Sequence, residues 1–238
     1  MERAALLRWL ENRSLRRHLH GRGIEIGALW RRFPVPRQAR VWYVDRLGEA
    51  ALTEQYPELK GRILPCDVVA DAARLPVAPA SLDFLIASHL LEHLPFPLAA
   101  LRAWYDVLAP GGVLLLKIPD QRYTFDAGRD RTPLRHLLEE HNQPERFDAR
   151  AHYSDWVEHV GGRTPGSPEF EREVGDLMRR DYSIHFHVWT DADVREMVAF
   201  TRDEWKLDWE AVVFWGARFY RKETTVLLRR GRPGSSAP

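Results

Sequence analysis

The chain has 238 residues, enough for one medium domain or for a core with a large insertion. Its 35 basic and 34 acidic side chains nearly cancel, to a formal charge of +1, which argues against a nonspecific nucleic-acid binder. Apolar residues at 45% exclude wholesale disorder, a lone Cys66 excludes an intrachain disulfide or a Cys-based zinc cluster, and no apolar run approaches the ~18 residues of a membrane span.

Residues 2–19 space Ala5, Leu6, Trp9, Leu10 and Leu15 as a helix does, with Arg3, Arg8, Arg13, Arg16 and Arg17 opposite. A basic amphipathic helix can lie on a membrane, but the short apolar stripe favours packing on the domain. Arg and Glu interrupt the segment too often for a secretory signal, so a cytoplasmic protein is expected. Short apolar runs at 23–27, 41–45, 62–64 and 82–87 read as strands. Pro97–Leu108 has helical periodicity and meets a stop and turn at Pro110-Gly111-Gly112, before the strongly strand-like Val113–Ile118. Strands alternating with helices imply a mainly parallel α/β sheet covered on both faces.

The pattern lapses over 120–189, too long for a structureless loop, so a partly helical insertion or lid is expected there. A helix resumes near Asp191–Thr201, capped by Thr190 and Asp193. Trp209–Trp215 and Thr224–Arg229 read as a hairpin, and 231–238 as a disordered tail. The expected division is an N-terminal helix (1–20), a cofactor-binding core (21–119), an acceptor-binding insertion (120–189), the core's completion (190–230) and the tail.

Ligands bind open parallel sheets beyond the C-terminal strand ends. Glu25 and Gly27 follow the first strand, Asp45 and Arg46 the second, Asp71 and Ala72 the third, Ser88 and His89 the fourth. Glycine admits a ligand close to the backbone; a carboxylate after the second strand can accept both hydroxyl hydrogens of a ribose, and another can accept from an exocyclic amine.

Six segments in this order, Gly23-Ile24-Glu25-Ile26-Gly27, Val44-Asp45, Asp71-Ala72-Ala73-Arg74-Leu75-Pro76, Ser81–Ile86, His89-Leu90-Leu91-Glu92-His93 and Leu108–Gly112, resemble a class I S-adenosylmethionine-dependent methyltransferase. The resemblance runs from about Gly23 to Pro119 and takes in the final hairpin. It implies a Rossmann-like seven-stranded sheet of order 3-2-1-4-5-7-6 with one antiparallel strand, and helices on both faces. It also implies S-adenosylmethionine as cofactor: Glu25 and Gly27 at its methionine part, Asp45 at the ribose, Asp71 and Ala72 at the adenine, Ser88 and His89 beside the sulfonium. The chain departs from the family where two further glycines usually follow the first strand, reading Gly27-Ala28-Leu29-Trp30 instead. That departure also weakens a dinucleotide-binding reading.

His89-Leu90-Leu91-Glu92-His93 also matches the H-x-x-E-H spelling of inverted zinc peptidases. Pro95 and Pro97 leave barely one helical turn there, so His89 is expected to face the cofactor and Glu92 or His93 to fix a helix or a neighbouring loop, with no metal. Six of the ten histidines lie in 120–189. In His185-Phe186-His187-Val188-Trp189-Thr190 both imidazoles project to one side if the segment is extended. A bacterial branch of the superfamily carries similar Tyr-Thr-Phe-Asp and His-Phe-His-Val-Trp-Thr runs, which implies a shared acceptor site without naming a substrate. His185 or His187 is expected to act as base or to orient the acceptor, with Tyr123 and Asp126 as hydrogen-bonding partners. The sequence lacks the Asn- or Asp-Pro-Pro run of DNA amino-methyltransferases, so the expected partner is a small molecule, sugar or natural-product precursor methylated on oxygen or nitrogen, not DNA. Two alternatives stay open: a noncatalytic cofactor-binding module, and a metal-dependent enzyme built from the His-rich insertion.

Overall fold

A computed structural model describes residues 2–218 and 220–232; the expected tail falls mostly on 233–238, outside the described residues. The chain opens with helix α1 (Glu2–Arg16) and strand β1 (Arg22–Ile26). β2 (Arg40–Asp45), α2 (Glu49–Gln55), β3 (Val68–Val69) and β4 (Leu82–Ser88) follow, then α3 (Pro97–Val107) and β5 (Leu108–Pro119). Helices α4 (Leu134–Asn142), α5 (Ala149–His159), α6 (Pro168–Arg179) and α7 (Asp191–Asp203) lead to the closing hairpin β6 (Trp209–Trp215) and β7 (Glu223–Arg230).

The sheet order is β3-β2-β1-β4-β5-β7-β6, with β7 antiparallel to both its neighbours. One face is sealed by Leu98, Leu101 and Trp104 of α3 and by Val194 and Met197 of α7, packed on Ile24, Ile26, Leu85, Leu114 and Leu228 of the sheet. The other face carries Phe84, Ile86, Leu115 and Leu227 beneath Leu15 and Leu19. Only the C-terminal end of α1 is therefore covered. Leu6, Trp9 and Leu10 remain 55%, 54% and 47% exposed, so the expected stripe packs over its last turn alone.

Two strand expectations change. Arg62-Ile63-Leu64 is not a strand; Pro65 follows, and the Leu64 N–H is given to the Leu29 carbonyl (2.7 Å). The third strand is the β-branched pair Val68-Val69, in register with Val44 and Asp45. Pro110-Gly111-Gly112 lies within β5 rather than before it, where the pairing with β4 jumps from Leu82↔Leu108 to Phe84↔Val113. Gly111 has φ +85°, and a Cβ on Gly112 would stand 2.8 Å from the Leu82 carbonyl, so glycine is what lets the strand buckle against its neighbour.

The segment between β5 and α7 leaves and returns at one point. Asp120 bridges Trp189, and Gln121 N–H donates to the Trp189 carbonyl (2.9 Å). Tyr153, Val157, Phe170, Val174, Leu177, Ile184 and Phe186 give it an apolar cluster of its own. Helix α7 starts on a Thr190–Asp193 capping box, in which the Thr190 N–H donates to the Asp193 carboxylate (2.8 Å).

Candidate active site

The C-terminal ends of β1, β2 and β4 open into a cavity of about 710 Å³, within the range of small-molecule and cofactor pockets. Gly27, Asp45, Arg46, Asp71, Ala72 and His89 all line it. The segment 181–186 supplies the opposite wall through Asp181, Tyr182, Ser183 and Phe186, which sequence reasoning does not single out.

Local chemistry fixes this rim. Gly27 adopts φ +69°, and a Cβ there would meet Leu90 Cδ1 at 3.0 Å. Leu29, also on the wall, adopts φ +47°, the left-handed conformation that a glycine would take without strain. Asp45 accepts from the Arg46 N–H (2.8 Å), and burial raises its carboxyl above the ordinary range. Asp71 accepts from the Ala73 N–H (2.7 Å), and the Ala72 carbonyl takes the Trp104 indole N–H (2.8 Å). Two carboxylates and a bare backbone edge suit a ribose and an adenine amine, so the residues present fit S-adenosylmethionine. The Arg46 guanidinium crosses the cavity to Asp181, donating to its carboxylate and its carbonyl (2.7 Å) and to Gln55 Oε1 (2.8 Å).

Not every expected residue reaches the cavity wall. Glu25 is 2% exposed, and both its oxygens accept from the Phe33 N–H (2.8 and 3.0 Å), so it pins the β1–β2 loop from behind. Burial pushes its carboxyl up to about 7, against the pull of that N–H and of Arg32. Ser88 ends β4 opposite Lys117 and is likewise not part of the lining.

The two insertion imidazoles enter different clusters rather than one. His185 Nδ1 lies 2.7 Å from Asp126 Oδ2, whose other oxygen accepts from Arg129 (2.9 Å). Burial raises the Asp126 carboxyl, but His185 and Arg129 outweigh it and hold it below its ordinary value. His187 is fully buried; its Nε2 faces the Pro95 carbonyl (3.3 Å), and burial lowers its pKa to about 3. Neutral and walled off, it does not border the cofactor cavity. Tyr123 sits on the turn Gln121–Tyr123 beneath the Arg122 guanidinium, 5.6 Å from its ring, and, like His185 and Asp126, is not in the cavity lining.

The sequence does not place His93 in the site, yet it lines the cavity. Its Nδ1 lies 2.9 Å from the Ile184 carbonyl and its ring centroid 4.6 Å from that of His185. The Phe186 N–H donates to the Glu92 carbonyl (2.8 Å), so the turn Leu91–His93 and the end of the insertion are stitched together. His89, at φ +53°, meets Glu223 (2.8 Å), which also holds Lys117 (2.6 Å).

A second cavity of about 680 Å³ lies within the insertion, between residues of α4 and α5. There Glu140 Oε1 sits 2.7 Å from His152 Nε2 and 3.0 Å from His136 Nε2.

Residues 20–116 match the family described as "Methyltransferase domain". No curated protein gives a significant match. Among solved structures, the chain is similar to an S-adenosylmethionine-dependent methyltransferase from Thermotoga maritima, at 15% identity, covering 92% of this chain and 87% of that one with a TM-score of 0.50. It is also similar to a protein from Rhodobacter sphaeroides named as a Zn-dependent alcohol dehydrogenase, at 14% identity, covering 92% and 89% with a TM-score of 0.55. At such identities these likenesses speak for the fold alone. Together with the strand order, they show that the chain has the seven-stranded Rossmann-like fold, and that its residues 20–116 are similar to a methyltransferase domain.

Proposed function

We propose that this enzyme methylates oxygen or nitrogen of a small molecule, with a sugar or a natural-product precursor as the substrate class. The observation that carries the reading is the far wall of the cofactor cavity. Tyr182, Ser183 and Phe186 stand beside the strand ends in the lining of a partly open cavity of about 710 Å³, a size that suits a small molecule. S-adenosylmethionine, when bound, supplies an electrophilic methyl group on a sulfonium. The chain's own residues hold the donor and exclude water from the line of attack, a positioning effect worth several kcal/mol. Asp45 binds the ribose hydroxyls, Asp71 and Ala72 the adenine, and Gly27 with Leu29 leaves backbone bare beside the amino-acid part.

On the acceptor side, His93 lines the cavity and positions the acceptor, with the Asp126-oriented His185 packed edge-on against its ring. His187 and Tyr123 support them from outside the cavity. Burial lowers the pKa of His93 to about 3, so its part is to orient the acceptor as a neutral ring.

Calorimetric titration with S-adenosylhomocysteine tests the donor half. Asp45→Asn is expected to weaken binding about 10- to 100-fold, the loss of a charged acceptor. Turnover against a panel of hydroxyl and amino compounds tests the acceptor half. His185→Gln is expected to lose turnover while keeping donor affinity, and unchanged turnover in His185→Gln, His93→Gln and their double variant would remove the assignment.

A further inference from the structure

The carboxylate of Glu92 is the most anomalous group in the molecule. The residue is 1% exposed, and neither of its oxygens has a hydrogen-bond partner. An ionised carboxylate so placed demands a compensating charge.

Three imidazole nitrogens surround its Oε1: His89 Nδ1 at 3.8 Å, His185 Nε2 at 3.9 Å and His93 Nε2 at 4.0 Å. These separations are too long for hydrogen bonds. They are near what ligands sharing one ion show, since donors at about 2.0–2.1 Å from zinc stand roughly 3.3 Å apart. The ligand atoms of Glu92, His93 and His185 all lie within 4.8 Å of one another, and closing on an ion would draw them together by about an ångström.

The far sides of the rings fix which nitrogens are bare. A carbonyl can only accept, so His93 carries its proton on Nδ1 toward Ile184. Asp126, paired with Arg129, accepts from His185 Nδ1 in the same way. Glu223, paired with Lys117, accepts from His89 Nε2. Each ring therefore turns an unprotonated nitrogen toward Glu92. Carboxylate or carbonyl behind imidazole is the usual support of a metal-bound histidine.

We propose that Glu92, His93 and His185, with His89 beside the carboxylate, bind one divalent transition-metal ion of the zinc or iron(II) class at the edge of the cavity. Two or three imidazoles with one carboxylate, and no thiolate, fit those ions. His185 is then a ligand rather than a base. The ion takes an acceptor oxygen as a further ligand and lowers the pKa of its hydroxyl, whose proton passes to solvent. The substrate class narrows to hydroxyl compounds able to coordinate a metal. That narrowing rests on methyl transfer at this cavity, whereas metal binding does not.

The His136–His152–His187 group offers an internal contrast. There Glu140 already lies within hydrogen-bond distance of His152 and His136, at 2.7 and 3.0 Å, so its carboxylate, unlike that of Glu92, has imidazole partners without an ion, although His187 Nδ1 has no partner.

The test titrates chelator-treated full-length protein with cobalt(II), following visible absorption and thermal midpoint, and then measures displacement by zinc. One equivalent per chain is expected, with a raised midpoint. Glu92→Gln and His185→Ala should each weaken binding at least 10-fold, Asp126→Asn about 10- to 100-fold, and His152→Asn should leave it unchanged. Circular dichroism and S-adenosylhomocysteine titration on the same variants show that fold and donor site persist; if His185→Ala does not fold, Glu92→Gln decides. No cobalt bound at millimolar concentration, equal binding by wild type and Glu92→Gln, or loss in His152→Asn instead would overturn the site. Metal binding without turnover on any hydroxyl compound would overturn the acceptor assignment and leave the metal centre standing.

Discussion

At the scale of single residues, the loop after β1 takes a left-handed turn at a residue that is not glycine. Leu29 at φ +47° carries left-handed strain that glycine would not. Leu29→Gly should be more stable than Leu29→Ala by about 1 kcal/mol in urea unfolding, because both remove the side chain but only glycine removes the Cβ. Equal stabilities would mean that the loop relaxes at no cost. Glu25 makes a pH-dependent contribution of the opposite sign to an ordinary ion-paired carboxylate. Its folded pKa of about 7 exceeds the ordinary 4.5, so the folded state holds a proton that the unfolded state has released between those values. Stability from this residue is therefore full below about pH 4.5 and falls as pH rises through 7, by on the order of 3 kcal/mol. Denaturation profiles of wild type and Glu25→Gln from pH 4 to 8 should diverge in that window, the variant lacking the decline.

At the scale of elements, the ends of the insertion matter more than its length. The Asp120–Trp189 bridge and the Thr190–Asp193 capping box return the chain to the sheet in a defined register before α7. Thr190→Ala should cost about 1 kcal/mol by thermal or urea unfolding, the usual effect of losing an N-cap. The element pattern is largely legible in the sequence. The apolar runs of β1, β2, β4 and β5 and the helical spacing of α3 and α7 are local signals that burial on a two-faced sheet requires. β3 escapes that reading because two paired residues leave almost no periodicity, and Ile63 buries without belonging to a strand. Pro110-Gly111-Gly112 reads as a stop because the same glycines that end a helix also permit a bulge. The helical spacing of α1 is plain in the sequence, but spacing cannot say how much of an apolar stripe the rest of the fold will cover.

At the scale of the whole molecule, donor binding should couple to global stability, since the cavity draws its walls from both the strand ends and the insertion. Saturation with S-adenosylhomocysteine at 100 times its dissociation constant should add about 2.7 kcal/mol and raise the thermal midpoint by several degrees. No shift would count against a shared cavity. The sequence alone determined most strands and the carboxylates at their ends, because each sits at a fixed offset from a local apolar run, while the sheet order came through the resemblance those segments carry. Tertiary structure alone decided that His185 and His187 part company, that Tyr123 stays outside, and that Glu92 is ringed by imidazoles from segments about 90 residues apart. The reason is physical: strand periodicity is written within a few neighbouring residues, whereas a partner for a buried charge is chosen by packing across the whole chain, and no local spacing encodes it.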